Sequence, residues 1–321
     1  MSAEKKKMNF GQFYGQYGIF IILAVVFVVS AVCVPGFLSI YNLTNVLLAI
    51  VCTTVLALGA TFIIILGHIN IAYGSELAFI GCAACIVDVA TGSFLAAIVV
   101  ALALGLLLGA LCGFIITKFS IPAFIMTLAL TEAARGGAVI ITEGNTISGI
   151  SEGFRFLGQG YVGPIPMAVI ILILAFIATW VILNKTPYGR YIYAVGGNKK
   201  AAEASGIDPN KVVFKAYLLD GVLLGIASLL LMGRLNSGVP GAGQTYEMDA
   251  ITAVVVGGTS MAGGSGTLFG TIVGAIIVGI INNVQTLMGV DSNIQKIVKG
   301  VIIVAAVIID VVTKNSAKKV R

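Results

Sequence analysis

Ten long apolar runs, separated by short polar gaps, constrain this chain more than any other feature. They cover residues 18–34, 45–66, 77–91, 94–117, 123–141, 166–183, 212–233, 250–262, 268–288 and 297–312. A helix needs about 20 residues to cross a bilayer, about 17 at the low end. Two runs, 77–91 and 250–262, fall short. Either they extend into their glycine-rich flanks or they are broken helices. Charged residues make up 10% of the chain, against about 25% in soluble domains, which excludes a soluble fold. Forty glycines suit helices that pack closely where lipid gives no hydrophobic drive. The pattern predicts an all-α integral membrane protein with about ten transmembrane helices, some broken, in a domain spanning 18–312.

The polar gaps set an orientation. With the N-terminus inside and ten spans, the inner segments are 1–17, 67–76, 118–122, 184–211, 263–267 and 313–321. Fourteen Lys and Arg lie in or beside them, against four (Arg155, Arg234, Lys296 and Lys299) outside. The positive-inside rule then places both tails, 1–17 and 313–321, in the cytoplasm. No small-x-small cleavage site follows the first run, so it reads as an uncleaved span rather than a signal peptide. The net charge of +6 sits between spans and is not interleaved with aromatics. It speaks for a lipid bilayer as partner and against nucleic acid.

The longest polar interruption is 184–215, with Lys185, Arg190, Lys199, Lys200, Lys211 and Lys215 against Glu203 and Asp208. Within it, 198–206 reads as a short cytoplasmic helix. Asn198 can cap it, good helix formers follow, and Gly206 ends it. Pro187, Gly196-Gly197 and Pro209 bracket the element. A short helix held between two spans is shaped to push against a partner.

Few polar side chains interrupt the spans. Glu132 and Arg135 lie three apart, on one helix face. They read either as a mutual ion pair or as a polar lining near the outer end of a solute path. Asp88 and Asp220 each sit near a membrane face. Thr53, Thr54, Thr127, Thr131, Thr259 and Ser260 offer hydroxyls that either satisfy their own helices or line the path of a polyhydroxylated solute. His68 stands alone, and the five cysteines all sit in apolar segments, so a structural role is expected for each. The outer loop 142–165 reads as a lid, a docking surface or a plain connection. Gly105, Gly109 and Gly113 form a close-packing ridge, as do Gly266, Gly270 and Gly274. Residues 67–79 also align on 257–269, matching at Gly67/Gly257, Ala72/Ala262, Gly74/Gly264, Ser75/Ser265 and Phe79/Phe269. Two related broken elements facing one cavity would follow, as discontinuous helices build transporter sites elsewhere. No phosphate-binding loop, zinc motif or nucleophile elbow occurs, so no enzyme activity and no cofactor are expected on this chain.

Four stretches resemble the permease subunits of bacterial ATP-binding-cassette importers for simple sugars, the ribose-type group. They are 127–144 (TLALTEAARGGAVIITEG), 188–207 (YGRYIYAVGGNKKAAEASGI), 238–275, which contains GGTSMAGG, and 279–310, which contains Asn282-Asn283. The resemblance implies a pore of two permease chains, identical or different. It also implies cytoplasmic ATP-binding subunits carrying ATP and Mg, and a periplasmic or lipid-anchored solute-binding protein. By match to its motif, the coupling helix falls on Gly196, Gly197, Asn198, Glu203, Ala204, Ser205 and Gly206. Asn70, Ser75, Thr127, Thr131, Arg135, Thr259, Ser260 and Asn282 are the residues expected along the solute path. The family reads Gly-Gly-Ile-Asp-Leu-Ser-Val-Gly-Ser where this chain has 67–75, GHINIAYGS. That departure bears on which solute is carried and on whether the pore pairs two different chains.

The expectation is a bacterial inner-membrane permease for a neutral pentose or hexose, driven by a separate ATPase. Two alternatives stand beside it. One is an ion-coupled secondary transporter using Asp88, Glu132 or Asp220 as carriers. The other is the same machine for a branched-chain amino acid or a nucleoside.

Overall fold

Every apolar run seeds a helix. The computed structural model describes the backbone of residues 10–319 and the side chains of 18–308. In chain order the helices are α1 (Phe10–Cys33), α2 (Ile40–Ile65), α3 (Tyr73–Thr91), α4 (Phe94–Phe119), α5 (Ala123–Thr142), α6 (Glu152–Gln159), α7 (Met167–Lys185), α8 (Pro187–Gly197), α9 (Lys199–Ala204), α10 (Pro209–Leu235), α11 (Tyr246–Val256), α12 (Leu268–Leu287) and α13 (Ser292–Lys319). Strands β1 (Tyr161–Val162) and β2 (Ile165–Pro166) form one small hairpin.

Among the described residues, seven helices are long and apolar enough to cross a membrane: α2, α3, α4, α5, α7, α10 and α12, with a shorter apolar stretch at Gly18–Cys33. The two short runs resolve differently. Run 77–91 extends back into its flank, so α3 begins at Tyr73 and crosses. Run 250–262 is broken: α11 has 11 residues and rises only about 16 Å at 1.5 Å per residue. Helix also reaches beyond two expected boundaries. α1 begins at Phe10, inside the expected tail 1–17, and α13 continues to Lys319, through 313–319. The outermost residues of both expected tails lie outside the described residues.

α2 and α10 form the centre of the bundle, with 83% and 78% of their most apolar windows buried, whereas α4, α5 and α7 sit at its edge at 22–28%. Glycine sets the spacing between α4 and α10. A Cβ on Gly105 or Gly109 would collide with the Gly221 or Tyr217 carbonyl. Gly270 and Gly274 press likewise on the Gly257 and Ala253 backbone, while Gly266 precedes α12 and stands off that ridge.

Two stretches of non-helical backbone enter the bundle. Residues 66–72 join α2 to α3. Residues 236–245 descend beside α3, where Gly238 lies against Cys85 and Gly243 against the Gly74 backbone. Such backbone is tolerated at membrane depth only where protein or a cavity satisfies its polar groups. The loop 142–165 is also packed. It contains α6 and the hairpin, and Ile147 exchanges two 2.8 Å backbone bonds with Gly238. Asp88, fully buried, accepts from the Ser151 amide (2.6 Å) and hydroxyl (2.7 Å) ahead of α6.

Four of the five cysteines are buried and all are free; Cys33 is exposed, at the end of α1.

Candidate functional site

α8 and α9 form a projecting element. Thr186 caps α8 by accepting from the Gly189 amide (3.3 Å), with Pro187 in the first turn. Asn198 caps α9 by accepting from Ala201 (3.0 Å), and Gly206 closes it at φ +81°. Helix α9 is thus shorter than the span 198–206, with Asn198 and Ser205 as its caps. Asn198, Lys199, Lys200, Glu203, Ala204, Ser205 and Gly206 are all exposed, and Ala202 alone anchors α9 inward. Asp208 caps α10, and the Lys211 amide it accepts from draws its carboxyl below the usual range.

The base of this element is locked to the bundle by backbone contact. A Cβ on Gly196 would collide with the Ile65 carbonyl at the end of α2, and one on Gly263 would stand 2.7 Å from the Gly196 oxygen. The Gly264 amide donates to that same Ile65 carbonyl (2.8 Å). Tyr193 of α8 donates its hydroxyl to the Gly266 carbonyl (2.8 Å), and Tyr188 donates to Val212 (2.9 Å). Burial pushes both phenols up, so both stay protonated donors. Both members of the internal repeat therefore meet at one point, against the foot of α8.

Helix α5 staples the two non-helical stretches. Thr127 reaches the Ile69 carbonyl (3.4 Å), and Thr131 donates to Ile71 (3.2 Å). Arg135 donates to the Pro240 (2.6 Å) and Ala242 (3.0 Å) carbonyls. Of the two readings for Glu132 and Arg135, the mutual ion pair does not form, because the guanidinium turns inward to those carbonyls. Glu132 faces outward and, among the described residues, has no ion pair or hydrogen bond.

A buried polar group lies behind the staple. Asn70 donates from Nδ2 to Asp220 Oδ2 (3.2 Å), and the Tyr73 hydroxyl donates to Oδ1 (2.9 Å). The Asn70 oxygen accepts from the Ala72 amide (2.9 Å). The Asn70 amide can thus donate to a buried carboxylate while its oxygen holds the backbone. His68 packs on Tyr217 with centroids 6.1 Å apart, and among the described residues no His, Cys, Asp and Glu cluster could hold a metal.

A cavity of about 670 Å³, lined by both polar and apolar side chains, opens among α2, α11, α12 and α13. That volume falls within the roughly 300–1,000 Å³ of small-molecule sites. Asn42 and Asn283 exchange amide bonds (3.1 and 2.8 Å) at its rim. Lys299 pairs with both Asp249 oxygens at 2.9 Å on its wall. Of the residues considered for the solute path, Asn282 and Thr53 line this cavity. Ser75, Thr127, Thr259 and Ser260 are buried, and Ser260 accepts from the Ala262 amide (3.1 Å) inside the 257–267 loop. Sequence reasoning passed over Tyr193, Asn42 and Asp249. Among these only Asp249, an acid immediately ahead of the short apolar run 250–262, carried a visible signal.

The family described as the permease component of branched-chain amino acid transport systems matches residues 42–307. The chain belongs to this permease family. Curated relatives cover it nearly end to end. The ribose import permease RbsC of Bacillus subtilis is 39% identical over 312 residues, 97% of both chains. RbsC of Escherichia coli K12 is 41% identical over 300 residues, 92% of this chain and 93% of its own. The D-allose permease AlsC of E. coli is 33% identical over 312 residues, 96% of this chain and 95% of its own. No solved structure matches. As a permease of this family with seven apolar spans, the chain is a multi-pass protein of the bacterial inner membrane. The family segment takes in α8, α9, both non-helical stretches and most of the cavity lining.

Proposed function

We propose that this permease is the membrane subunit of an ATP-driven importer that passes a neutral simple sugar, a pentose or hexose. Full-length similarity to ribose, allose and xylose permeases supports the solute class. Ten segments enter the membrane, with α11 a half-span, and both termini face the cytoplasm. The pore is made by two permease chains. ATP and Mg act on separate ATPase subunits, and a solute-binding protein delivers the sugar.

One observation carries the mechanism: the exposed α9 stands on a foot whose backbone touches Ile65, the residue just ahead of the 66–72 stretch, and Gly264 within the 257–267 loop. When the ATPase pair closes, α9 moves with it. Close backbone packing passes that displacement to the 66–72 and 257–267 stretches without slack, and the spans rock as rigid bodies. Asp88 is committed to Ser151 and Asp220 to Asn70 and Tyr73, and the full-length similarity to sugar permeases favours the importer over an ion-coupled carrier.

Glu203 is exposed on α9 and touches nothing in the bundle that the fold requires. Glu203→Lys is expected to cut solute uptake at least about tenfold, one step of 1.4 kcal/mol, through like-charge mismatch with the partner. The amount of chain in the membrane should not change. Uptake assayed in cells against immunoblotted membrane protein checks this; normal uptake at normal expression contradicts coupling through α9.

A further inference from the structure

A second cavity, of about 440 Å³, opens beside the foot of α8 and α9, where the 66–72 stretch meets the end of α4 and the starts of α5 and α10. Its volume suits a small molecule. Among the described residues, no carboxylate lines it. Asp208, the acid nearest Asn210 in sequence, is engaged by the Asn210 (3.0 Å) and Lys211 (3.2 Å) amides and the Lys211 ammonium (3.3 Å). The polar wall consists largely of donors. Lys199 brings a positive charge, and Asn210 a side-chain amide with no partner among the described residues. His68 Nδ1 is buried and has no hydrogen-bond partner, a rare condition that points to a bound group. Ser120 ends α4 at φ +54° and ψ +32°, a left-handed turn uncommon outside glycine. After the right-handed Phe119 it makes the step that turns successive amides towards one point, an anion-binding nest. The Ser120 and Ile121 amides, both of residues lining the cavity, have no acceptor among the described residues.

We propose that this cavity binds a phosphate monoester, carried by a small cytoplasmic solute or by a lipid headgroup, and that the bound ester slows transport. The ester's terminal oxygens are acceptors only. Lys199 meets their charge. The Ser120 and Ile121 amides, the Asn210 amide and His68 Nδ1 supply hydrogen bonds. A neutral sugar has no charge to offer Lys199, so the site discriminates against the solute that the importer carries. The groups that hold the ester come from both sides of a joint. Lys199 belongs to α9, and Ser120 and Ile121 to the end of α4 in the bundle. An ester held by both ties α9 down and resists its displacement by the ATPase pair. Binding stands on the cavity alone; the slowing of uptake rests on the importer reading above.

The test begins with calorimetric titration of the purified full chain, in detergent, by D-ribose 5-phosphate and by inorganic phosphate. Saturable binding of both is expected. Lys199 is exposed, so Lys199→Gln leaves the fold intact, and it should weaken binding at least about tenfold, as loss of a charged hydrogen bond does. His68→Gln should weaken it less. Lys185→Gln, a basic residue at the end of α7 and off the cavity, should change nothing. No saturable binding, binding that Lys199→Gln leaves unchanged, or equal weakening by Lys199→Gln and Lys185→Gln overturns the site. Bilayer discs with and without phosphatidic acid separate the two sources. Binding that this lipid abolishes assigns the cavity to a headgroup, and binding that it leaves unchanged assigns it to a soluble ester. Finally, D-ribose 5-phosphate on the ATPase side of sealed vesicles holding the assembled importer and ATP should slow D-ribose uptake, and slow it less with Lys199→Gln. Saturable binding with unchanged uptake overturns the tie on α9. Vesicles that take up no D-ribose even without the ester would instead contradict the importer reading and leave the binding result standing.

Discussion

Gly196→Val should abolish uptake while the chain still inserts. An added Cβ there meets the Ile65 carbonyl, a backbone atom at the end of α2 that cannot swing aside. Gly264 donates to the same oxygen, so α8, α2 and the 257–267 loop would part together. Forcing extra atoms into close packing costs about 1–3 kcal/mol, roughly ten- to a hundredfold in an equilibrium. The larger effect is mechanical, because the contact that would pass force from α9 to both broken segments is lost. Gly300→Ala is the comparison, since nothing lies within 4 Å of the added carbon. That change should be neutral or stabilising by about 1 kcal/mol, the usual gain for Ala over Gly in a helix. Initial uptake rates normalised to membrane protein separate the two. Equal rates for both variants would mean that the Gly196 contact carries no force.

Asn70→Asp gives the second large effect. Asn70 Nδ2 is a donor 3.2 Å from Asp220 Oδ2. An aspartate in its place sets two buried carboxylates against each other. The same exchange restores the residue that the ribose-type pattern carries at this position. Without a compensating change it should destabilise the protein by about 3–5 kcal/mol, the range for a buried charge whose partner is lost. The double variant Asn70→Asp, Asp220→Asn restores one carboxylate and one amide, and most of the stability should return. Thermal unfolding of the purified protein in detergent reads both. If the double variant is no more stable than the single one, the two residues are not coupled.

Much of this was legible in the sequence because bilayer thickness sets the length of each apolar run. Nine of the ten runs coincide with helices, and the tenth, 250–262, is helical only as far as Val256. The α9 element was also visible, since Asn198, the run of helix formers and Gly206 form a local code. α8 was hidden by reading Pro187 and Gly196-Gly197 as breakers. Pro187 instead starts a helix behind the Thr186 cap, the position where proline is favoured. The expected solute path was the least legible part. Thr127, Thr131 and Arg135 share a face of α5, but their partners are backbone carbonyls in distant non-helical stretches, which no local spacing announces. Arg135 and Pro240 are 105 residues apart. The five matches between 67–79 and 257–269 did point to two broken elements, and these meet where Gly67 lies against Ala262 and Gly263 rather than across an open cavity.

The central claim is that this permease has no engine of its own and takes force through α9. The direct measurement is uptake of D-ribose against its gradient in sealed vesicles that contain the purified chain and its binding protein. The expected result is no net accumulation until the ATPase subunits and ATP are supplied. Accumulation by the chain without the ATPase would contradict the account.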